Sequence, residues 1–300
     1  MHPAPIEYYH RPATLEEAVA AISGGGEAAH FLAGGQSLMQ AVKSRLLQPR
    51  RLVDLQDVAA LRGVSAGADG GLVIGAMTRY VELAAESLLD PAYAAMSDAA
   101  AHVGDRQVRN RGTIGGSLCW NYVAACMPAV ALGLGATLHL VSAGGASRSL
   151  PAEDFLRGPL ETAREEAELL VSVVLPPPPP RTGSAYRKWA LLSDGLPVIG
   201  ACVLVSTDPA GVCSAARVAF GGLASGPRRS RAAEGRLHGC RADDGEQIAA
   251  AMAAAAEELE TQGDLWADAA YRKQLIRTLG AEMVTSAFAR ASGQGQGRVA

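Results

Sequence analysis

The chain has 300 residues, of which 49% are hydrophobic and 19% charged, with 34 Gly and 16 Pro. That is enough apolar chain for two cores and excludes a disulfide-framework peptide or wholesale disorder. A formal charge of -3 gives no general attraction to phosphate backbones and argues against nucleic acid as a partner; the lack of an eighteen-residue apolar run or a secretory-type start points to a cytoplasmic chain with no integral membrane segment.

In chain order, Thr14 precedes Leu15, Ala18, Val19 and Ile22 at helical spacing, with Glu17 at the third helical position, so a capped helix is expected there, ending at Gly24 to Gly26. His30 to Ala33 reads as a short strand that runs into Gly34-Gly35-Gln36-Ser37 and then a helix from Leu38 to Leu46. Leu52 to Leu55 is a second buried strand. Residues 1–56 therefore read as a small α/β layer on parallel strands. Beyond Leu61, short strands at Leu72 to Ile74 and Leu138 to Val141 alternate with helical segments at Tyr80 to Ala85 and Tyr93 to Val103. Leu169 to Leu175 is a β-branched strand that stops at Pro176 to Pro180, where the main boundary is placed. The strands Ala185 to Trp189, Val198 to Ser206 and Ala215 to Gly221 then predict an antiparallel sheet, backed by helices at Gly245 to Glu260 and Ala270 to Ala291. The Gly- and Gln-rich segment 292–300 is expected to be a flexible tail.

Cys119, Cys126, Cys202, Cys213 and Cys240 form no C-x-x-C pair, so no metal centre is expected on this chain, and scattered free thiols fit a reducing compartment. No nucleophile comes with a matching His and acid, so no catalytic side chain is assigned. Two double-glycine segments carry the chemistry: Ala33-Gly34-Gly35-Gln36-Ser37-Leu38 and Thr113-Ile114-Gly115-Gly116-Ser117-Leu118. Glycine lets backbone N–H groups approach and surround a diphosphate without a positive side chain. Neither segment is G-x-G-x-x-G or a P-loop. A Val at Gly35 or Gly116 is expected to abolish binding by placing a branched Cβ where the diphosphate approaches.

These segments, with Leu52-Val53-Asp54-Leu55, Ile74-Gly75-Ala76-Met77-Thr78, Gln107 to Gly112 and Met127-Pro128-Ala129, resemble the FAD-binding medium subunit of molybdenum hydroxylases, in particular carbon monoxide dehydrogenase and xanthine dehydrogenase flavoproteins. The resemblance implies an α+β chain. A PCMH-type FAD-binding domain over 1–177, made of subdomains 1–56 and 57–177, would precede a C-terminal sheet-and-helix domain over 183–291. It implies non-covalent FAD with its pyrophosphate gripped by Ala33, Gly34, Gly35, Gln36, Ser37 and Leu38 on one side. Thr113, Gly115, Gly116 and Ser117 would grip it on the other. Met77 and Thr78 would approach the isoalloxazine, His102 and Val103 would line the cleft, and Leu170 would lie near the adenine. The family commonly has Asn after the second double glycine and an Asp-rich loop ahead of Met-Pro-Ala. Here Ser117, Tyr122 and Cys126 stand in those places, Asn121 is the neighbouring hydrogen-bonding substitute, and Leu196 replaces an aromatic residue over the ring.

By the same resemblance, the partners are a molybdopterin-binding large subunit and a small subunit with two two-iron two-sulfur clusters, in a heterotrimer or a dimer of heterotrimers. The chain would accept electrons from those clusters and pass them to an external acceptor. The alternatives are a self-sufficient FAD-dependent oxidase or reductase, and a scaffold subunit that has lost FAD.

Overall fold

The computed structural model describes residues 5–23, 28–89 and 91–293. The glycines at 24–26 and residues 294–300 lie outside the described residues. The expected cap on the first helix is present: Glu17 N–H donates to Thr14 Oγ1 (3.2 Å), and the Glu17 carboxylate accepts from Ala13 N–H (2.9 Å). That helix, Leu15–Ser23, buries Ala18, Val19 and Ile22. They face a three-stranded sheet in which Arg51–Asp54 lies between Tyr8–His10 and Ala29–Leu32, parallel to both. Parallel order follows from connections that cross over through helices rather than tight hairpins. The next helix covers only Leu38–Lys43 of the expected Leu38 to Leu46, because Arg45 turns the chain with a positive φ of 60°.

The second lobe is built on a five-stranded antiparallel sheet, ordered Val64–Ala66, Leu72–Gly75, Leu169–Leu175, Thr137–Val141, Ser147–Pro151. Leu169–Leu175 is central, its Val173 opposite Ile74 on one side and Leu138 on the other. The central position explains its β-branched sequence, since both of its edges are paired. The helix Cys126–Leu134 is buried along its whole length. Its apolar residues follow no helical stripe, so the periodicity that revealed the other helices is missing there.

The third body is a four-stranded antiparallel sheet, Thr182–Trp189, Ile199–Thr207, Cys213–Gly221 and Arg228–Arg229, backed by Arg231–Leu237, Gly245–Glu258 and Ala269–Ala291. The five prolines precede it, yet the hydrophobic core crosses that point: Tyr186, Cys202 and Ala219 pack with Met127, Val130 and Met96 of the second lobe. A buried ion pair spans the same junction. Asp98 on helix Ala94–His102 accepts from Arg290 Nη1 (2.6 Å) and Nη2 (3.0 Å) and from Tyr186 N–H (3.1 Å), while Arg290 also donates to Ser184 O.

Candidate functional site

A cavity of about 760 Å³ opens where the three bodies meet, a size in the range of small-molecule and cofactor sites, about 300–1,000 Å³. The first lobe contributes Ala33 to Leu38 in an unbroken run, the second Met77, Val103, Thr113, Gly115, Gly116, Ser117 and Leu170, and the third Leu196. The structure thus gathers fourteen of the seventeen expected residues around one space.

The two glycine segments differ in what they offer. In the first, the N–H groups of Gly34, Gly35, Gln36 and Ser37 have no acceptor among the described residues. Gly35 has a φ of 73°, which opens the turn and favours glycine. Gly34 to Gln36 are half-buried and Ser37 is exposed, so these N–H groups are open to the cavity solvent and available to an anion bound there. In the second segment the N–H groups are already engaged. Gly115 donates to Ala76 O (2.9 Å), Gly116 to Thr113 Oγ1 (3.2 Å) and Ser117 to Thr113 O (3.1 Å), because this segment is the start of helix Ile114–Trp120 with Thr113 as its cap. The pair of equivalent main-chain hooks expected from the sequence is therefore one open turn and one closed helical turn.

The glycines also answer to the protein itself. A Cβ on Gly34 would lie 2.1 Å from Arg111 O, and one on Gly115 2.6 Å from Ala76 Cβ. A Cβ on Gly116 would meet Thr113 Oγ1 at 2.9 Å, and one on Gly35 would crowd Leu32 and Met39, both at 3.3 Å. A side chain at Gly35 or Gly116 would therefore meet the protein itself as well as the space expected for a diphosphate.

Thr78, His102 and Asn121 do not line the cavity. Thr78 is buried, and its hydroxyl accepts from Gly63 N–H (3.0 Å) and bonds Gly63 O (3.1 Å). His102 turns Nδ1 onto Asp98 O (2.7 Å). Asn121 ends helix Ile114–Trp120 in the left-handed region and donates to Gly158 O (2.8 Å) and Glu161 O (2.9 Å), so its amide holds the hairpin behind the wall. Each is drawn away by a backbone partner that sequence spacing does not reveal.

Other wall residues carry no motif. They include Lys188, Arg164, Glu168, Tyr80 and the two cysteines Cys119 and Cys126. Burial pushes the Tyr80 phenol up to about 12 against the bond it shares with Ser117, and the Cys119 thiol up to about 11 against the opposing pull of Arg164. Both are therefore neutral at pH 7. Burial also opposes ionisation of Glu168, but bonds from Arg148 and from Glu165 N–H, followed by the charges of Arg148 and Arg164, outweigh it and hold the carboxyl below its ordinary 4.5. A depressed folded pKa contributes stability above 4.5 that is lost as pH falls through the folded value. Melting temperature should therefore drop on acidification below 4.5, and Glu168→Gln should flatten that limb; an unchanged acid limb would disprove the assignment.

Among the described residues, no group of three or more His, Cys, Asp or Glu is placed to hold a metal ion, and no helix is long and apolar enough to cross a membrane. The open turn, the cavity's size and its largely apolar lining suit a dinucleotide with a ring at one end.

Comparison with known proteins agrees with this geometry. Residues 4–178 match the family model described as the FAD binding domain in molybdopterin dehydrogenase, and residues 184–287 that of the CO dehydrogenase flavoprotein C-terminal domain. The chain is 33% identical over 278 residues to the 6-hydroxypseudooxynicotine dehydrogenase complex subunit alpha of Paenarthrobacter nicotinovorans, covering 93% of each. It is 32% identical over 282 residues to the carbon monoxide dehydrogenase medium chain of Hydrogenophaga pseudoflava, covering 94% of this chain and 97% of the relative. The structure of quinoline 2-oxidoreductase from Pseudomonas putida 86 superposes with a TM-score of 0.88 at 31% identity, over 98% of this chain and 99% of that one. With over half its length matched by the first model and the remainder largely by the second, this chain belongs to the FAD-binding family of the molybdopterin dehydrogenases.

Proposed function

We propose that the chain is the FAD-carrying electron-transfer subunit of a molybdenum hydroxylase. It would take electrons from iron-sulfur clusters on a small partner and deliver them to an external acceptor, while a large molybdopterin chain oxidises the substrate. The observation that carries this is the run Gly34 to Ser37, whose four N–H groups have no acceptor among the described residues, lining a cavity walled by all three bodies in a chain of this family. Bound there, FAD would supply the redox chemistry, accepting electrons and releasing them. The residues of this chain hold and shield it. Gly34 to Ser37 bind the diphosphate, and Thr113, Gly115, Gly116 and Ser117 brace the opposite wall. Leu170, 2% exposed, closes the adenine end, and Met77, Val103 and Leu196 pack against the ring and keep water from it. Thr78, His102 and Asn121 act behind that surface as supports. No side chain needs to act as a base.

The relatives named as a complex subunit and a medium chain support assembly with other chains, as a heterotrimer or a dimer of heterotrimers. Five free cysteines fit the reducing cytoplasm. Cys119 and Cys126 border the cavity, but burial raises both thiols and leaves them poor nucleophiles, so the flavin stays untethered.

The test is uptake of FAD by the purified chain followed by acid precipitation. One equivalent should bind and all of it should leave with the supernatant. A chain that remains colourless with excess FAD would overturn the proposal in favour of a scaffold subunit, and turnover of an organic substrate by the chain alone would favour a self-sufficient oxidase.

A further inference from the structure

Two of the free cysteines, neither of which lines the cavity, meet in the third body. Cys213 begins strand Cys213–Gly221, and Cys240 lies in the turn after helix Arg231–Leu237. The main chain joins them directly: Cys213 N–H donates to Cys240 O (2.8 Å), and Gly239 N–H donates to Cys213 O (2.9 Å). Gly239 has a φ of 81°. A left-handed glycine and the residue after it, sharing one partner across a ladder in this way, form a glycine β-bulge whose second residue stands opposite that partner. Cys240 therefore faces Cys213 as a hydrogen-bonded cross-strand pair, for which the Cα atoms are about 5.5 Å apart. A disulfide needs about 4.4–6.8 Å.

Cys202, by contrast, has Tyr186 and Ala219 opposite it in its two ladders, and Cys119 and Cys126 sit on separate helices. Cys213 and Cys240 are 1% and 0% exposed and belong to one hydrophobic core. Their hydrogens go only to main-chain carbonyls, Cys213 Sγ to Ala215 O (3.4 Å) and Cys240 Sγ to Arg241 O (3.2 Å), weak bonds that are given up at little cost. Burial, followed by the charge of Cys240, pushes the Cys213 thiol up to about 11, and burial followed by the charge of Asp244 raises that of Cys240. Both are protonated at pH 7, so brief contact with an oxidant spares them. Gly239 and Arg241 on either side are exposed, which puts Cys240 directly beneath the surface.

We propose that Cys213 and Cys240 form a redox pair that sustained exposure to hydrogen peroxide closes to a disulfide, clamping the third body. The Cys240 thiolate attacks one peroxide oxygen, the O–O bond breaks, and the departing hydroxide takes up a proton as water, leaving a sulfenic acid. The Cys213 thiolate then attacks that sulfur and expels its oxygen as a second water. Two thiols and one peroxide become one disulfide and two waters; the two sulfurs lose two electrons and the peroxide gains them. The bond closes a loop of about 27 residues and ties the start of strand Cys213–Gly221 to the turn between helices Arg231–Leu237 and Gly245–Glu258.

The experiment treats the full chain with hydrogen peroxide, removes the excess, and counts thiols after denaturation. Of the five thiols, three should remain, with the mass lower by about 2 Da and one peptide pair linking Cys213 to Cys240. Dithiothreitol should restore all five. The melting temperature should be about 5 °C higher in the oxidised than in the reduced chain. Cys213→Ala and Cys240→Ala should both lose that rise, and Cys213→Ala should stop at a sulfenic acid on Cys240 that dimedone traps. Five thiols remaining after prolonged treatment would overturn the proposal, as would a bond through Cys119, Cys126 or Cys202, or one between two chains. Sulfinic acid on Cys240 of the wild-type chain would also overturn it, since Cys213 would then be out of reach. A Cys213–Cys240 bond that leaves the melting temperature unchanged would defeat its role as a clamp.

Discussion

Gly34→Ala is expected to destabilise the chain by about 3 kcal/mol and to cost it most of its bound flavin. The methyl group would be placed 2.1 Å from Arg111 O, 2.7 Å from Arg111 C and 2.9 Å from Gly112 Cα. All three are backbone atoms, so no rotamer change relieves the clash, and the first lobe must move off the second. Gly112 cannot yield in turn, since its own Cα side faces the Tyr80 ring at 2.5 Å from an ideal Cβ. Because the cavity is formed between these lobes, the displacement reaches the Gly34 to Ser37 segment of its wall directly. Gly235→Ala provides the comparison: it lies in helix Arg231–Leu237 with nothing within 4 Å of an added Cβ, and should stabilise the chain by about 0.5–1 kcal/mol. Thermal melting and flavin-to-protein absorbance ratios measure both. A Gly34→Ala chain that melts and binds like the wild type would show that the lobes do not depend on this approach.

Arg290→Met is expected to cost about 3–5 kcal/mol. The Asp98 side chain is 0% exposed and that of Arg290 5%, so loss of the guanidinium leaves a buried carboxylate with Tyr186 N–H as its remaining partner. Desolvation then far outweighs one hydrogen bond. Replacing both residues, as Arg290→Met with Asp98→Leu, should recover most of the loss, since no charge is left buried. Urea unfolding of the two variants provides the test, and a loss under about 1 kcal/mol in the single variant would show that solvent reaches the pair. The pair joins residues 192 positions apart. It also ties the helix that ends at His102, beside the cavity wall at Val103, to the last helix of the chain.

The legible parts of the fold were those with a local signal. The Thr14 and Glu17 cap, the β-branched run Leu169–Leu175 and the alternating strands of the third sheet each follow from propensity and periodicity over a few residues. Helix Cys126–Leu134 was not legible, because a helix buried on every side has no polar face to set a period. Thr113 to Leu118 carries no helical signal, since Gly-Gly is a poor helix former; the Thr113 cap and the Ala76 carbonyl that receives the Gly115 N–H make it the start of a helix.

The same division holds at the site. Linear order alone was sufficient to identify the family, the cofactor class and the run Ala33 to Leu38, because a strand that feeds glycines into a helix is a contiguous pattern. Tertiary structure alone decided that Gly34 answers to Arg111, that Asn121 and His102 turn to backbone carbonyls, and that Lys188 joins the wall from 152 positions beyond Gln36. Those outcomes depend on which carbonyl or charge lies within about 3 Å after packing. Distances between residues remote in the chain are set by the burial of the three cores together, and no local pattern of residue types encodes them.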